Sequence, residues 1–380
     1  MTRITVFAGI NNVADPTRLK NGELEQAVNV DLDSRSKVVS APGRVRIRAG
    51  VASSVFESPF GIFAQVDNDL LLLDSAGDIL RTVYPTLGYT RVWYVLLPDG
   101  RVGFSNGLIN GLASATITTS WGVPAPDDAG SCVPGDTAYQ ITYIRQSDGR
   151  EGPPRHADVL ADVKQPLLSL PQRAGYDIAV YVAPYGDQMF LAGRTSTDVF
   201  AFPGTQLGLQ YQGSASLVPP PAGRLMCLWG SRILSAQGNV VWMTAPLQPE
   251  LCDAAKDFVQ MPETVTLLYA NESGIFVGTT EGLYFLAGST RDELSQRRIS
   301  AASVVLGSGV RADLSFLNDK VRPKGAEEGA YCLTAGAVHL LYSDGQVLPL
   351  TADTYRTSVD EVHAAVRVRD GYMQYIAAPA

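Results

Sequence analysis

Charge is scarce in this chain: Asp, Glu, Lys and Arg make up 18% of 380 residues, against roughly 25% in ordinary soluble domains. A surface so poor in charge has little to oppose self-association, and an oligomer is expected. Cysteine is scarce too. Cys132, Cys227, Cys252 and Cys332 lie far apart with no CxxC pair, which argues against zinc and for reduced thiols. The three histidines, His156, His339 and His363, are isolated, with no HExxH arrangement. No GxSxG, GxxxxGK[ST] or GxGxxG occurs, so the common nucleophile and nucleotide motifs are excluded. No apolar run approaches the roughly 18 residues of a membrane helix. "MTRITVFAGINN" has one Arg and a short apolar run, so no signal peptide is expected.

What the chain does have is hydrophobic residues, 46% of the total, and 36 glycines. Both are deployed as hairpins. "LLLLDSAGDILRTV" (70–83) carries apolar runs on both sides of a Ser-Ala-Gly-Asp turn. Further turns are expected at Asp99-Gly100, Asp148-Gly149, Glu281-Gly282, Asp344-Gly345 and Asp370-Gly371. Asp-Gly suits a type I′ turn, in which Gly takes a positive φ. The flanks are Val, Ile, Leu, Tyr and Trp, which fit half-buried strands. Helical signals are weak: "ELEQAVNV", "PELCDAAKDF" and "DELSQRRISAAS" are two-turn candidates, and "SVDEVHAAV" is ambiguous.

The pattern predicts a mainly β protein in three parts. Residues 126–219 differ from their flanks. Ile178, Val180 and Val182 alternate on one face with Tyr181 on the other, and this period of two in short strands suggests an inserted β-sandwich of immunoglobulin or fibronectin type. Pro- and Gly-rich joints, "GVPAPDDAGS" and "SLVPPPAG", bound it. Residues 1–125 and 220–380 then form one propeller-like body built of short hairpins. The terminal "GYMQYIAAPA" is a candidate to close a sheet with N-terminal strands.

No constellation of residues points to catalysis, to a cofactor or to a bound metal. Asp148, Glu151 and Glu281 sit at turns, and Tyr89, Trp93 and Trp121 are candidate groove aromatics; together they keep a glycan binder or hydrolase open as a weaker alternative. Asp31, Asp33 and Ser36 offer oxygens, but the Gly and the Glu of an EF-hand loop are missing. In this stretch Asn29, Asp31 and Asp33 alternate with Val30 and Leu32. Arg44, Arg46 and Arg48 then share one face, opposite Val45 and Ile47.

The N-terminal stretch "GINNVADPTRL…GELEQAVNVDLD…VVSAPG" resembles the opening signature of tailed-bacteriophage tail proteins, in particular the short-tail nozzle or tail tubular family. The resemblance rests here on Gly9, Ile10, Asn11, Asn12, Pro16, Leu19, Gly22, Glu23, Leu24, Ala27, Asn29, Val30, Asp31, Pro42 and Gly43. The turn after the acidic pair reads "SRSK" where the family usually has a glycine. It continues in order through "YQITYIRQSDGREGPP", then Trp242, Pro246 and Glu250-Leu251, then the hairpin from Gly274 to Gly288. It implies a non-enzymatic virion protein, assembled in the host cytoplasm. Copies of it form a homo-oligomeric ring, commonly six-fold, below the head-to-tail adaptor. The partners so implied are that portal-side adaptor, tail-tip or fibre proteins, and double-stranded DNA passing non-specifically; no membrane insertion of its own is implied. A tail connector or hub of the same fold is the nearest alternative. Asn11, Asn12, Asn29, Asp31, Asp33, Arg44 and Arg46 are the assembly candidates. The Asn pair would satisfy turn backbone, and Asp31 and Asp33 would pair with Arg44 or Arg46, within the subunit or across to the next.

Overall fold

A computed structural model describes residues 9–26, 30–32, 38–40, 49–184, 186, 188–204, 206–211, 217–317, 322, 327–369 and 372–380. Five antiparallel sheets of four strands each follow one another along the chain in up-and-down order. We call them blades 1 to 5. Blade 1 spans residues 52–84, blade 2 residues 93–120, blade 3 residues 224–260, blade 4 residues 265–300 and blade 5 residues 310–349. A long hairpin follows, Val362–Arg369 against Tyr372–Pro379.

The blades pack face to face in sequence, and each contact is an apolar cluster. Phe63, Leu70 and Leu72 of blade 1 meet Val102 and Phe104 of blade 2. Val95 and Leu112 of blade 2, with Trp121, meet Ile233 of blade 3. Leu234 and Met243 of blade 3 meet Ile275 and Val277 of blade 4. Phe276 and Phe285 of blade 4 meet Ala330 and Leu341 of blade 5. Leu340 and Tyr342 of blade 5 meet Val366, Met373 and Tyr375 of the terminal hairpin. Each fully buried Leu, Ile or Phe in these layers contributes about 1.5–3 kcal/mol. The first strands of blades 2, 3 and 4 lie side by side. This is the propeller-like body expected from the recurring short hairpins.

Blade 2 and blade 3 are separated by an insert with a four-stranded sheet of its own. Pro134–Arg145 pairs with Arg155–His156 on one side and Tyr176–Ala183 on the other, and Phe190–Thr195 pairs beyond that. As the alternation predicts, Ile178, Val180 and Val182 point into one core and Ala179 and Tyr181 into a smaller one on the reverse face. The main face is covered by extended segments around Ala129, Leu167 and Phe200. Isolated bridges, Ser131 to Leu168 and Leu167 to Phe200, stitch these segments together.

Two local expectations are corrected. The three Asp-Gly turns within the described residues are not type I′, because Asp99, Asp148 and Asp344 keep negative φ and only the glycines turn positive. Gly100 N–H donates to the Leu97 carbonyl and Leu97 N–H to the Arg101 carbonyl, and the Tyr342–Gln346 turn repeats the pattern. A type I turn closed by a left-handed Gly gives those bonds; Asp side chains then accept from the N–H two residues on, as in Asp99 to Arg101 and Asp344 to Gln346. The Asp370-Gly371 turn lies outside the described residues. Within the described residues the helix candidates are not helices either. Glu23–Leu24 and Cys252–Asp253 are short strands, and "DELSQRRIS" is one 3-10 turn (Arg291–Glu293) followed by the strand Ser295–Ser300. That strand is recruited by the open edge of Gly282–Ala287; backbone pairing there outweighs the favourable helix propensity of its Gln and Arg residues.

Candidate assembly site

The strap that opens the described chain is built around the two predicted asparagines. Asn11 is buried, and its Oδ1 accepts from the N–H of Val13 (3.3 Å) and Ala14 (3.0 Å). Its Nδ2 donates to Glu23 Oε2 at 3.1 Å. The same carboxylate accepts from Lys20 N–H, a bond that draws the Glu23 pKa below its ordinary value. Gly9–Ile10 pairs in parallel with Glu23–Leu24. The segment 9–24 is therefore a closed loop held by its own polar groups.

Asn12 ties that loop to the far end of the chain. Its N–H donates to the Thr354 carbonyl at 3.0 Å. Its Nδ2 donates to the Arg356 carbonyl at 2.8 Å, and its Oδ1 accepts from Arg356 N–H at 2.9 Å. The amide thus copies the two-bond exchange of a β-bridge. Of the remaining candidates, Asn29, Asp33, Arg44 and Arg46 lie outside the described residues. Asp31 is placed by its backbone, opposite Val39 in the small hairpin Val30–Leu32 and Val38–Ser40. Asn12→Ala is expected to cost about 1–2 kcal/mol, the sum of its two side-chain bonds. The loss should appear as faster amide exchange and proteolysis across residues 9–24 with the blades unchanged.

Two polar seams, neither foreseen from sequence, hold the larger parts together. The first is centred on Glu250, which follows blade 3's third strand. Its Oε1 accepts from Arg101 Nη1 of blade 2 at 2.8 Å, and Arg150 Nε of the insert lies 3.1 Å away as an ion-pair partner. Its Oε2 accepts from Arg145 Nη2, also of the insert. Asp99 sits 2.7 Å from Arg101 Nη2, and Asp148 3.3 Å from Arg145 Nε. Three cations thus face three carboxylates, so the cluster is neutral. Burial pushes the Asp99 carboxyl up, but its bonds from Arg101 and the charge of Arg150 outweigh that and leave it below the usual range. Trp121 Nε1 donates to the Pro249 carbonyl and Arg145 Nη1 to the Ser120 carbonyl alongside. One insert and two blades are fastened at a single point. From sequence Asp148 is a turn residue and a weak glycan candidate, and Glu250 only part of a resemblance; no local spacing joins residues this far apart.

The second seam lies where the start of the terminal hairpin meets the segment between blades 1 and 2. Arg91, between blades 1 and 2, donates through Nη1 to the Val362 carbonyl at 2.7 Å and lies 3.3 Å from Glu361 Oε1. Its guanidinium rests 4.2 Å over the Trp93 ring. Burial pulls the Arg91 pKa down, and Glu361 works against that. An open cleft of about 420 Å³ runs beside it, between the first strand of blade 1 and His363–Ala365.

Several of the residues weighed for glycan chemistry are taken up by packing, hydrogen bonds or ion pairs. Trp121 is core, 3% exposed, Trp93 lies under Arg91, and Tyr89 alone is exposed. Glu151 Oε1 accepts from Thr142 Oγ1 and from Tyr181 OH; Asp148 is engaged by Arg145. The cysteines are free thiols, and burial raises Cys227 and Cys332 to about 12 and Cys252 to about 11. Among the described residues no group of three or more His, Cys, Asp or Glu is placed to hold a metal ion.

No family model and no curated protein matches the chain. Solved structures similar to it include the β-propeller domain of Cps50 (Swd1) from Myceliophteria thermophila, at 10% identity over 86% of this chain and 96% of that one, with a TM-score of 0.32. Another is BBS1N in complex with ARL6DN, at 8% identity over 87% and 93%, TM-score 0.34. A computationally designed protein, Ika8, aligns at 12% identity over 87% and 96%, TM-score 0.28. At such scores these likenesses carry no argument about function, and the blades stand on the hydrogen-bond ladders described above.

Proposed function

We propose that the chain is a structural protein of a phage tail, a nozzle-type subunit whose copies form a ring that continues the DNA-ejection channel below the head-to-tail adaptor. The observation that carries this reading is the Glu250 cluster. It fastens the insert to blades 2 and 3 through ion pairs on the buried Glu250 carboxylate, in the part of the chain where the resemblance to nozzle proteins places the sandwich module and the motif that ends in Glu250-Leu251. A rigid two-part subunit can present the same two faces to each neighbour, which a closed ring requires. The net charge of -8 suits a wall along which DNA slides without being held, since tight binding draws on phosphate neutralisation by Lys and Arg. The clasp of Asn12 on Arg356 favours a strap that acts within its own subunit.

The purified protein should elute as one species of about six times 40.6 kDa by light scattering. A strict monomer at every concentration, or one that cleaves or binds glycan, would remove this reading and leave the glycan alternative.

A further inference from the structure

The terminal hairpin occupies the position of a sixth blade and is half complete. Val362–Arg369 lies beside the first strand of blade 5, Val310–Asp313, and its start is bridged to Leu306. One face of the hairpin packs on blade 5 through Val366, Met373 and Tyr375. Yet among the described residues it has two strands where each of the five blades has four. Toward blade 1, its described contacts are the polar Arg91 seam and the open cleft, with no apolar cluster of the kind found between all other neighbours.

The outer strand, Tyr372–Pro379, shows which groups are spare. Ala380 N–H donates to the Glu361 carbonyl, and the register pairs Val362 with Pro379 and His363 with Ala378. Bonded and non-bonded pairs alternate in an antiparallel ladder. Gln374, Ile376 and Ala378 therefore bond inward, while the N–H groups of Met373, Tyr375 and Ala377 point to the open edge. Pro379, which has no N–H, falls in the outward set, where a proline is tolerated. An open edge of this length is a template for another strand.

The geometry points to one occupant: the chain's own hairpin Val30–Leu32 and Val38–Ser40 docks on the Tyr372–Pro379 edge as third and fourth strands, closing a six-bladed ring. That hairpin is two-stranded and pairs with no other described strand. It is tethered on both sides of the gap. Upstream, Asn12 is bonded to Thr354 and Arg356, just before the sixth blade. Downstream, Val51 N–H is bonded to Asp67 in blade 1. Val30 follows Leu24 closely enough to lie within roughly 20 Å of it, about the width of a four-stranded blade.

Amide exchange read residue by residue on the full chain, as monomer and at high concentration, tests this. The outward amides of Met373, Tyr375 and Ala377 should be protected in both conditions. Val39→Pro, which breaks the docking hairpin, should cut that protection roughly a hundredfold and spare the inward amides of Gln374, Ile376 and Ala378; Val39→Ala should leave both sets protected. Outward amides that exchange freely in the full chain would overturn the closure. So would protection that appears only in the oligomer, because a neighbouring copy would then supply the strands. The monomer arm stands whether or not the protein forms a tail ring.

Discussion

Glu250→Ala is expected to lower stability by about 3–5 kcal/mol, read as a shift of the denaturant midpoint at neutral pH. The side chain is 6% exposed, accepts hydrogen bonds from Arg101 and Arg145 and forms an ion pair with Arg150. Removing it leaves Arg145, itself 5% exposed, as a buried cation facing only Asp148, and breaking a buried pair from one side costs that much. The three arginines should not be equivalent. Arg150 is 41% exposed, so Arg150→Ala should cost no more than about 1 kcal/mol, as for surface pairs. Arg145→Ala should approach the Glu250 value. The insert is expected to lose its protection first, ahead of the blades, because the cluster is its main polar tie to them. Equal, small losses for all three arginines would mean that solvent already screens the cluster.

Gly307→Ala should cost about 2–5 kcal/mol and loosen the seam between Arg91 and the terminal hairpin. Gly307 has φ +75, and a Cβ there would lie 2.2 Å from Arg91 Nη1 and 2.3 Å from the Val362 carbonyl oxygen. The left-handed backbone costs an L-residue roughly 1–2 kcal/mol, and overpacking adds about 1–3. The clash falls on the bond between Arg91 and Val362, so the terminal hairpin should exchange its amides faster while blades 2 to 4 do not. Gly336→Ala serves as the control, since nothing lies within 4 Å of a Cβ there.

Much of the body was legible because hairpin chemistry is local. Apolar runs flanking Asp99-Gly100 or Asp344-Gly345 predict strands and turn from adjacent residues, and the alternation at Ile178, Val180 and Val182 predicts which side is core. The turn type was misread because Asp-Gly is compatible with two geometries that differ in one φ. The strand Ser295–Ser300 was misread because its partner edge, not its composition, decides its state. Of the assembly candidates, Asn11 and Asn12 do hold turn and strap backbone, Asn12 through a partner more than 300 residues away that no periodicity announces. The Glu250 and Arg91 seams were hidden for the same reason: each joins parts distant in sequence, and single Arg and Glu residues between hairpins look like ordinary surface charge.

Electron cryo-microscopy of the phage particle proposed to carry this chain tests the proposed tail role most directly. A closed ring of copies with an axial opening, seated between the adaptor and the tail tip and with the insert fixed against blades 2 and 3 at Glu250, is the expected result. Particles without the chain in that position, or with single copies away from the channel axis, would contradict it.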